Sequence, residues 1–123
     1  DMHIPIAYAL GEHSRLPGAS RHLSLADYAT LTFEKPDINR FPCLGLAHHC
    51  LRTGGTAACT VNAANEVAVA AFLKDEIGFN DIYRIIESTL SRASFVASPG
   101  YDDYVAVNGE ARAIAAELVA KCN

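Results

Sequence analysis

The chain has 123 residues, of which 50% are hydrophobic and 20% are charged, and its formal net charge is -4. This is the composition of about one soluble globular domain, long enough to bury a core, and it argues against a disordered chain. No cluster of lysine or arginine occurs in the sequence, so a nucleic-acid-binding surface has no electrostatic basis.

The first 40 residues predict little regular structure. HIPIAYALGEH (3–13) suggests a short helix, because Pro5 is tolerated in a first turn and Gly11 suits a helix end. Residues 14–40 have no sustained period and begin with a stretch rich in Ser, Gly and Pro, which is typical of a linker. Within them ATLTF (29–33) is β-prone and predicts an edge strand if a sheet lies nearby to accept it. Residues 1–40 therefore resemble the tail of a preceding domain followed by a linker.

From residue 41 onward the pattern predicts four helices joined by brief turns. The first runs from Pro42 to Thr53, the second covers about 57–77, the third begins after Asn80 as its N-cap, and the last covers about 102–121. Two of them carry apolar stripes at helical spacing, namely Ile82, Ile85, Ile86, Thr89 and Leu90, and Ala111, Ile114, Ala115, Leu118 and Cys122. Such helices pack most simply as an up-and-down bundle over residues 41–123, with the apolar second helix at its centre.

Neither the cysteines nor the apolar segment 56–73 points to a secreted or membrane protein. Cys43, Cys50, Cys59 and Cys122 lack CxxC spacing, so we interpret them as reduced, buried thiols of a cytosolic protein. Segment 56–73 is mostly alanine and contains two Asn and a Glu, so we interpret it as a core helix rather than a membrane span.

A polar cluster interrupts this second helix. Asn62, Asn65 and Glu66 are spaced i, i+3, i+4 and therefore share one face. Two amides and one carboxylate are possible ligands for a hard cation, but a single acidic residue is a poor magnesium site. We favour a structural role, in which the cluster forms hydrogen bonds to a loop or to a neighbouring helix end.

Four stretches together resemble the C-terminal portion of the 1-deoxy-D-xylulose 5-phosphate reductoisomerase family. They are DMHIPIAYAL (1–10), LTFEKPDINRFPCL (31–44), TVNAANEVAVAAFL (60–73) and FNDI (79–82). Their order and spacing agree with the family along essentially the whole chain, and NAANE with PDINRFPCL upstream is a specific combination.

The resemblance implies a fold that is mainly α. A C-terminal four-helix-type bundle (41–123) would follow a linker (14–40) and the tail end of an α/β catalytic domain (1–13). The chain begins at Asp1 rather than at a methionine, so we expect a processed chain or a piece of a longer one.

The resemblance also implies the activity of the parent enzyme. The family rearranges 1-deoxy-D-xylulose 5-phosphate and reduces it with NADPH to 2-C-methyl-D-erythritol 4-phosphate, on the way to isoprenoids. It needs Mg²⁺ or Mn²⁺ and works as a cytoplasmic homodimer. Its metal-binding, phosphate-binding and cofactor-loop residues have no counterpart in this sequence, so we expect no catalytic and no metal-binding residue here.

One residue carries over from the family's active site. The methionine of the D-M-x-x-P-I-A motif, Met2 here, lines the nicotinamide and substrate pocket in the family, while His3 stands where many members carry arginine. We therefore expect a supporting segment that is inactive without the other domains of the same chain. The alternative is a free-standing helical module that binds a partner through an exposed apolar groove.

Overall fold

The computed structural model describes residues 2–12, 14, 16, 24–28 and 30–122. It divides the chain into two compact units, residues 1–35 and residues 36–123. The described residues form five helices: α1 (His3–Leu10), α2 (Cys43–Thr53), α3 (Ala57–Phe72), α4 (Phe79–Arg92) and α5 (Tyr101–Ala120). The mainly helical fold predicted from the sequence is confirmed.

The first unit contains α1. Pro5 lies in its first turn, and the Gly11 N–H donates to the Ala7 carbonyl at its end. No strand is formed over the described residues 30–33, and Ala29 lies outside them. The edge strand predicted there depended on a partner sheet, and the described part of the chain contains no strand that could pair with it. Residues 17–23 of the predicted linker also lie outside the described residues.

The second unit is a helical bundle with α3 at its centre. α3 packs against α2, α4 and α5, and α4 also packs against α5. The side chains that α3 buries are small: Ala57, Thr60, Ala63, Ala64, Ala68 and Ala71. Small residues let neighbouring helices approach closely, and larger apolar side chains of those neighbours fill the space beside α3. The core cluster accordingly joins alanines of α3 to Ile77, Ile85, Ile86 and Ala115.

The apolar stripes of α4 and α5 face this core as predicted. In α4, Ile85, Ile86 and Thr89 are buried, and in α5 Val107, Ala111 and Ala115 are buried. The stripe on α5 ends earlier than predicted, because Cys122 lies beyond the helix and is exposed.

The end of α3 corrects the sequence prediction. The helix was expected to reach residue 77, but it ends at Phe72. Asp75 adopts a positive φ of 59°, the Asp75 N–H donates to the Phe72 carbonyl, and the Glu76 N–H donates to the Ala71 carbonyl. This is the Schellman arrangement that ends many helices, here with aspartate in the left-handed position that glycine usually occupies.

The start of α4 corrects a second prediction. Asn80 was expected to cap the helix, but α4 begins at Phe79 and Asn80 lies in its first turn. Gly78 is the extended residue before the helix, and its N–H donates to Asp81 Oδ2 over 3.0 Å. Gly100 and Asp103 repeat this arrangement at the start of α5, at 2.9 Å. Each carboxylate also lies close to the positive end of its helix dipole.

The turn between α2 and α3 needs its two glycines. Gly54 and Gly55 have φ values of 67° and 53°, a region that residues with a Cβ rarely adopt. A Cβ on Gly55 would also lie 2.3 Å from the Val96 carbonyl oxygen. The end of α2 at Thr53 agrees with the sequence prediction, and the turn that follows lies against the segment between α4 and α5.

The four cysteines are free thiols, but they are not all buried. Cys50 is buried in α2, and its burial raises the pKa of the thiol, which favours the protonated form. Cys59 is half-buried. Cys43 and Cys122 are exposed, because one lies in the first turn of α2 and the other follows the end of α5. The prediction of buried cysteines is therefore right for Cys50 and wrong for these two.

Candidate functional site

The polar cluster of α3 lies on the outer face of that helix. Asn62, Asn65 and Glu66 are all exposed, while the alanines of the opposite face form the core. The Asn62 Nδ2 donates to Glu66 Oε1 over 3.0 Å, one helical turn away. The three polar side chains therefore point away from the core, and an otherwise apolar helix can carry them without burying their polar groups.

Glu66 also joins α3 to α5. Arg112 on α5 donates from Nη2 to Glu66 Oε2, and its Nε donates to Asn108 Oδ1 over 2.9 Å. The hydrogen bond from Arg112, the hydrogen bond from Asn62 and the positive charge of Arg112 hold the pKa of Glu66 below its ordinary value of 4.5. The four side chains Asn62, Glu66, Arg112 and Asn108 therefore form one interhelical network.

Asn65 does not belong to this network. Its side chain is exposed and makes no hydrogen bond to the residues that the structure describes. The structure thus brings together two of the three residues that the spacing grouped, and it adds Arg112 and Asn108, which the sequence did not indicate. Nothing in the sequence sets the register of α5 against α3, so Arg112 carries no signal as a partner of Glu66.

A second charged network connects α4 to α5. Glu117 accepts from Lys121 Nζ over 2.5 Å, the i, i+4 pair visible in the sequence, and from Arg92 Nη2 over 2.9 Å. The hydrogen bond from Lys121, followed by that from Arg92, lowers the pKa of Glu117. Nearby, the Ser94 N–H and hydroxyl donate to Glu110 Oε1 over 3.2 and 3.1 Å. The pair of Arg92 and Glu117 and the hydrogen bonds from Ser94 to Glu110 fix the end of α4 against α5.

The chemistry of the Glu66 network is that of an ion pair rather than a metal site. A guanidinium already occupies one oxygen of the carboxylate, and an amide occupies the other. Among the described residues no group of three His, Cys, Asp or Glu side chains is placed to hold a metal ion together. With a single carboxylate that is already paired, the donor set of these residues does not fit a magnesium site.

Met2 lies in the other unit, directly before α1. Its side chain is 68% exposed, and its carbonyl accepts the Ile6 N–H over 3.3 Å in the first turn of the helix. An exposed thioether at a helix start is available to pack against another part of a protein.

Cavities open on the bundle, among them a smaller and a larger one lined by described residues. The smaller has a volume of about 160 Å³ and lies between the end of α2, the start of α3 and the end of α4, where His49 Nε2 is 3.3 Å from Thr53 Oγ1. The larger, about 360 Å³, is a mostly apolar groove between the start of α2 and the start of α4. Phe41, Leu44 and Phe79 line the groove and are exposed.

Comparison with known proteins assigns the family. Residues 1–114 match the model of the DXP reductoisomerase C-terminal domain. The chain belongs to the DXP reductoisomerase family. The resemblance noted in the sequence motifs is thereby confirmed.

The relatives are much longer than this chain. The 1-deoxy-D-xylulose 5-phosphate reductoisomerase of Bacteroides thetaiotaomicron is 50% identical over 97% of the chain, and that of Burkholderia multivorans is 49% identical over 98%. In each case the chain spans about 30% of the relative's length.

Solved structures agree with the sequence relatives. A 1-deoxy-D-xylulose 5-phosphate reductoisomerase from Zymomonas mobilis in complex with NADPH matches 97% of the chain with a TM-score of 0.84 and 39% identity. The chain covers 32% of that protein. A DOX-P reductoisomerase in complex with NADPH, fosmidomycin and magnesium matches 98% of the chain with a TM-score of 0.78 and 31% identity, and again the chain covers 32% of it.

No helix in the described ranges is both long enough and apolar enough to cross a bilayer. The interpretation of segment 56–73 as a core helix agrees with the position of α3 at the centre of the bundle.

Proposed function

We propose that the chain is the C-terminal part of an NADPH-dependent reductoisomerase that converts 1-deoxy-D-xylulose 5-phosphate to 2-C-methyl-D-erythritol 4-phosphate in isoprenoid biosynthesis. The match of residues 1–114 to the family's C-terminal domain carries this proposal. The relatives that share about half of its residues support it. A free-standing binding module is less well supported, because these matches extend over nearly the whole chain.

In this proposal the bundle supports the catalytic domain and contributes no catalytic residue. Its helices pack through an alanine-rich core, and the two exposed charged networks bridge α3 to α5 and α4 to α5, which suits a supporting element. NADPH and Mg²⁺ or Mn²⁺ would bind to the remaining part of the polypeptide, since the longer relatives are the ones solved with NADPH and magnesium. We place the tail of the catalytic domain at 1–13, the linker at 14–40 and the bundle at 41–123.

The polar cluster of α3 has a structural role in this proposal. Glu66 and Asn62 support that role through the network that joins α3 to α5. Met2 is the one residue of the chain that we place beside the nicotinamide and substrate. The partners would be the other domains of the same chain and a second subunit of a cytoplasmic homodimer.

A chimeric enzyme tests the proposed function. The C-terminal portion of the Bacteroides thetaiotaomicron relative that this chain matches would be replaced by the 123 residues. We expect the chimera to oxidise NADPH in the presence of Mg²⁺ and 1-deoxy-D-xylulose 5-phosphate, within about tenfold of the intact relative. The 50% identity over 119 residues should preserve most contacts between the domains.

Two controls accompany the chimera. The relative truncated before this portion and the isolated 123-residue chain should both leave the NADPH absorbance unchanged. A chimera that folds and dimerises like the relative but shows no turnover would contradict the proposed function. Turnover by the isolated chain would show that catalytic residues lie within it.

A further inference from the structure

We draw no further inference here: the strongest candidate, the apolar groove between the start of α2 and the start of α4 where Phe41, Leu44 and Phe79 are exposed, carries nothing because nothing in the structure shows what covers it.

Discussion

Glu66 is the residue at which α3 and α5 are joined by charge. Its side chain is 51% exposed and that of Arg112 is 42% exposed, so solvent screens the ion pair and its contribution to stability is small. Since the carboxylate also accepts from Asn62, the pair is held in one geometry by its neighbours. Its effect should therefore be seen most clearly in how stability depends on pH.

We predict that Glu66→Gln lowers the melting temperature of the chain by a few degrees at most near neutral pH. The folded-state pKa of Glu66 is depressed, so its contribution is complete above the ordinary value of 4.5 and is lost as the pH falls through the lower folded-state pKa. The difference between wild type and variant should therefore shrink below about pH 4.5. Thermal unfolding followed by circular dichroism at several pH values measures it.

Glu76→Gln is the matched control for this experiment. Glu76 is exposed, and no ion pair of its side chain occurs within the described part of the chain. Its substitution should leave the melting temperature nearly unchanged near neutral pH. A Glu66→Gln effect that is equally large at about pH 3 and pH 7 would contradict the proposed ion-pair role.

Two fully buried threonines differ in how their hydroxyls are satisfied. Thr56 and Thr89 both have 0% exposure. The Thr56 Oγ1 accepts the Val96 N–H over 3.0 Å, whereas the Thr89 Oγ1 has no hydrogen-bond partner among the described residues. A buried hydroxyl without a partner is costly, and a buried donor that loses its acceptor is costly as well.

We predict opposite effects when each of these threonines is changed to valine. Thr89→Val should stabilise the bundle by about 1 kcal/mol, because it removes an unsatisfied polar group. Thr56→Val should destabilise it by about 1 kcal/mol, because the partly buried Val96 N–H loses its acceptor. Urea unfolding of both variants measures the free energies of unfolding. A loss of stability in Thr89→Val would show that its hydroxyl has a partner in solution.

At the scale of single residues, the sequence located the polar cluster but not its partners. Asn62 and Glu66 stand out because they interrupt an apolar helix. Arg112, Arg92 and Thr56 carry no such signal, because each acts across a contact between elements distant in sequence. The i, i+4 pair of Glu117 and Lys121 was predictable, since helix geometry alone brings those residues together.

The central helix is defined by the small size of its buried side chains. Ala63, Ala64 and Ala68 have 0% exposure, as do Ala111 and Ala115 on α5. The interface between α3 and α5 therefore has little room for larger side chains, because protein cores are close-packed.

We predict that Ala64→Leu destabilises the bundle by about 1–3 kcal/mol, because the larger side chain overpacks the core cluster. Ala70→Leu, on the exposed face of the same helix, should change the free energy of unfolding by no more than about 0.5 kcal/mol. Both variants replace an alanine of α3 with leucine, so the change in helix propensity is the same. A difference between their free energies of unfolding, measured in urea, therefore reports packing. Equal effects would contradict the tight packing of α3.

At the scale of elements, periodicity predicted the helices and their buried stripes, while two helix ends were missed. The sequence predicted that α3 reaches residue 77, but the chain leaves that helix earlier, through a turn at Asp75. Aspartate adopts a positive φ less readily than glycine, so the local pattern gave no warning. The turn allows Ile77 to pack into the core cluster, a contact that only the folded structure reveals.

For the whole molecule, the fold and the family were predicted from different features of the sequence. The bundle followed from periodicity and turn residues, whereas the family followed from motifs. The activity proposed for the intact protein could not be derived from the described residues. They assemble no metal site, and the chain spans only about 30% of the length of its relatives. Met2 is the residue of this chain that we propose to lie beside the nicotinamide and substrate, so its substitution tests the proposal for the intact protein.

We predict that Met2→Ala in the active chimera raises the KM for NADPH or for substrate several-fold, because in the proposed role Met2 forms an apolar wall of the pocket. Met2→Leu should retain most of the wild-type value, since it keeps the volume and the apolar character. Ile4→Ala, another exposed apolar position on this segment, is the control. Steady-state kinetics on the three variants measure the effect, and an unchanged KM in Met2→Ala would place this residue outside the pocket.

The paired contacts between Thr56 and Val96 have a consequence for how the bundle opens. The Thr56 N–H donates to the Val96 carbonyl, and the Val96 N–H donates to the Thr56 hydroxyl, across 40 positions of sequence. Together they close α3, α4 and their connection into a ring. Ring closure over such a length removes conformational entropy from the chain. The Val96 amide should therefore exchange its hydrogen with solvent only when this ring opens, which makes it a reporter of cooperative opening.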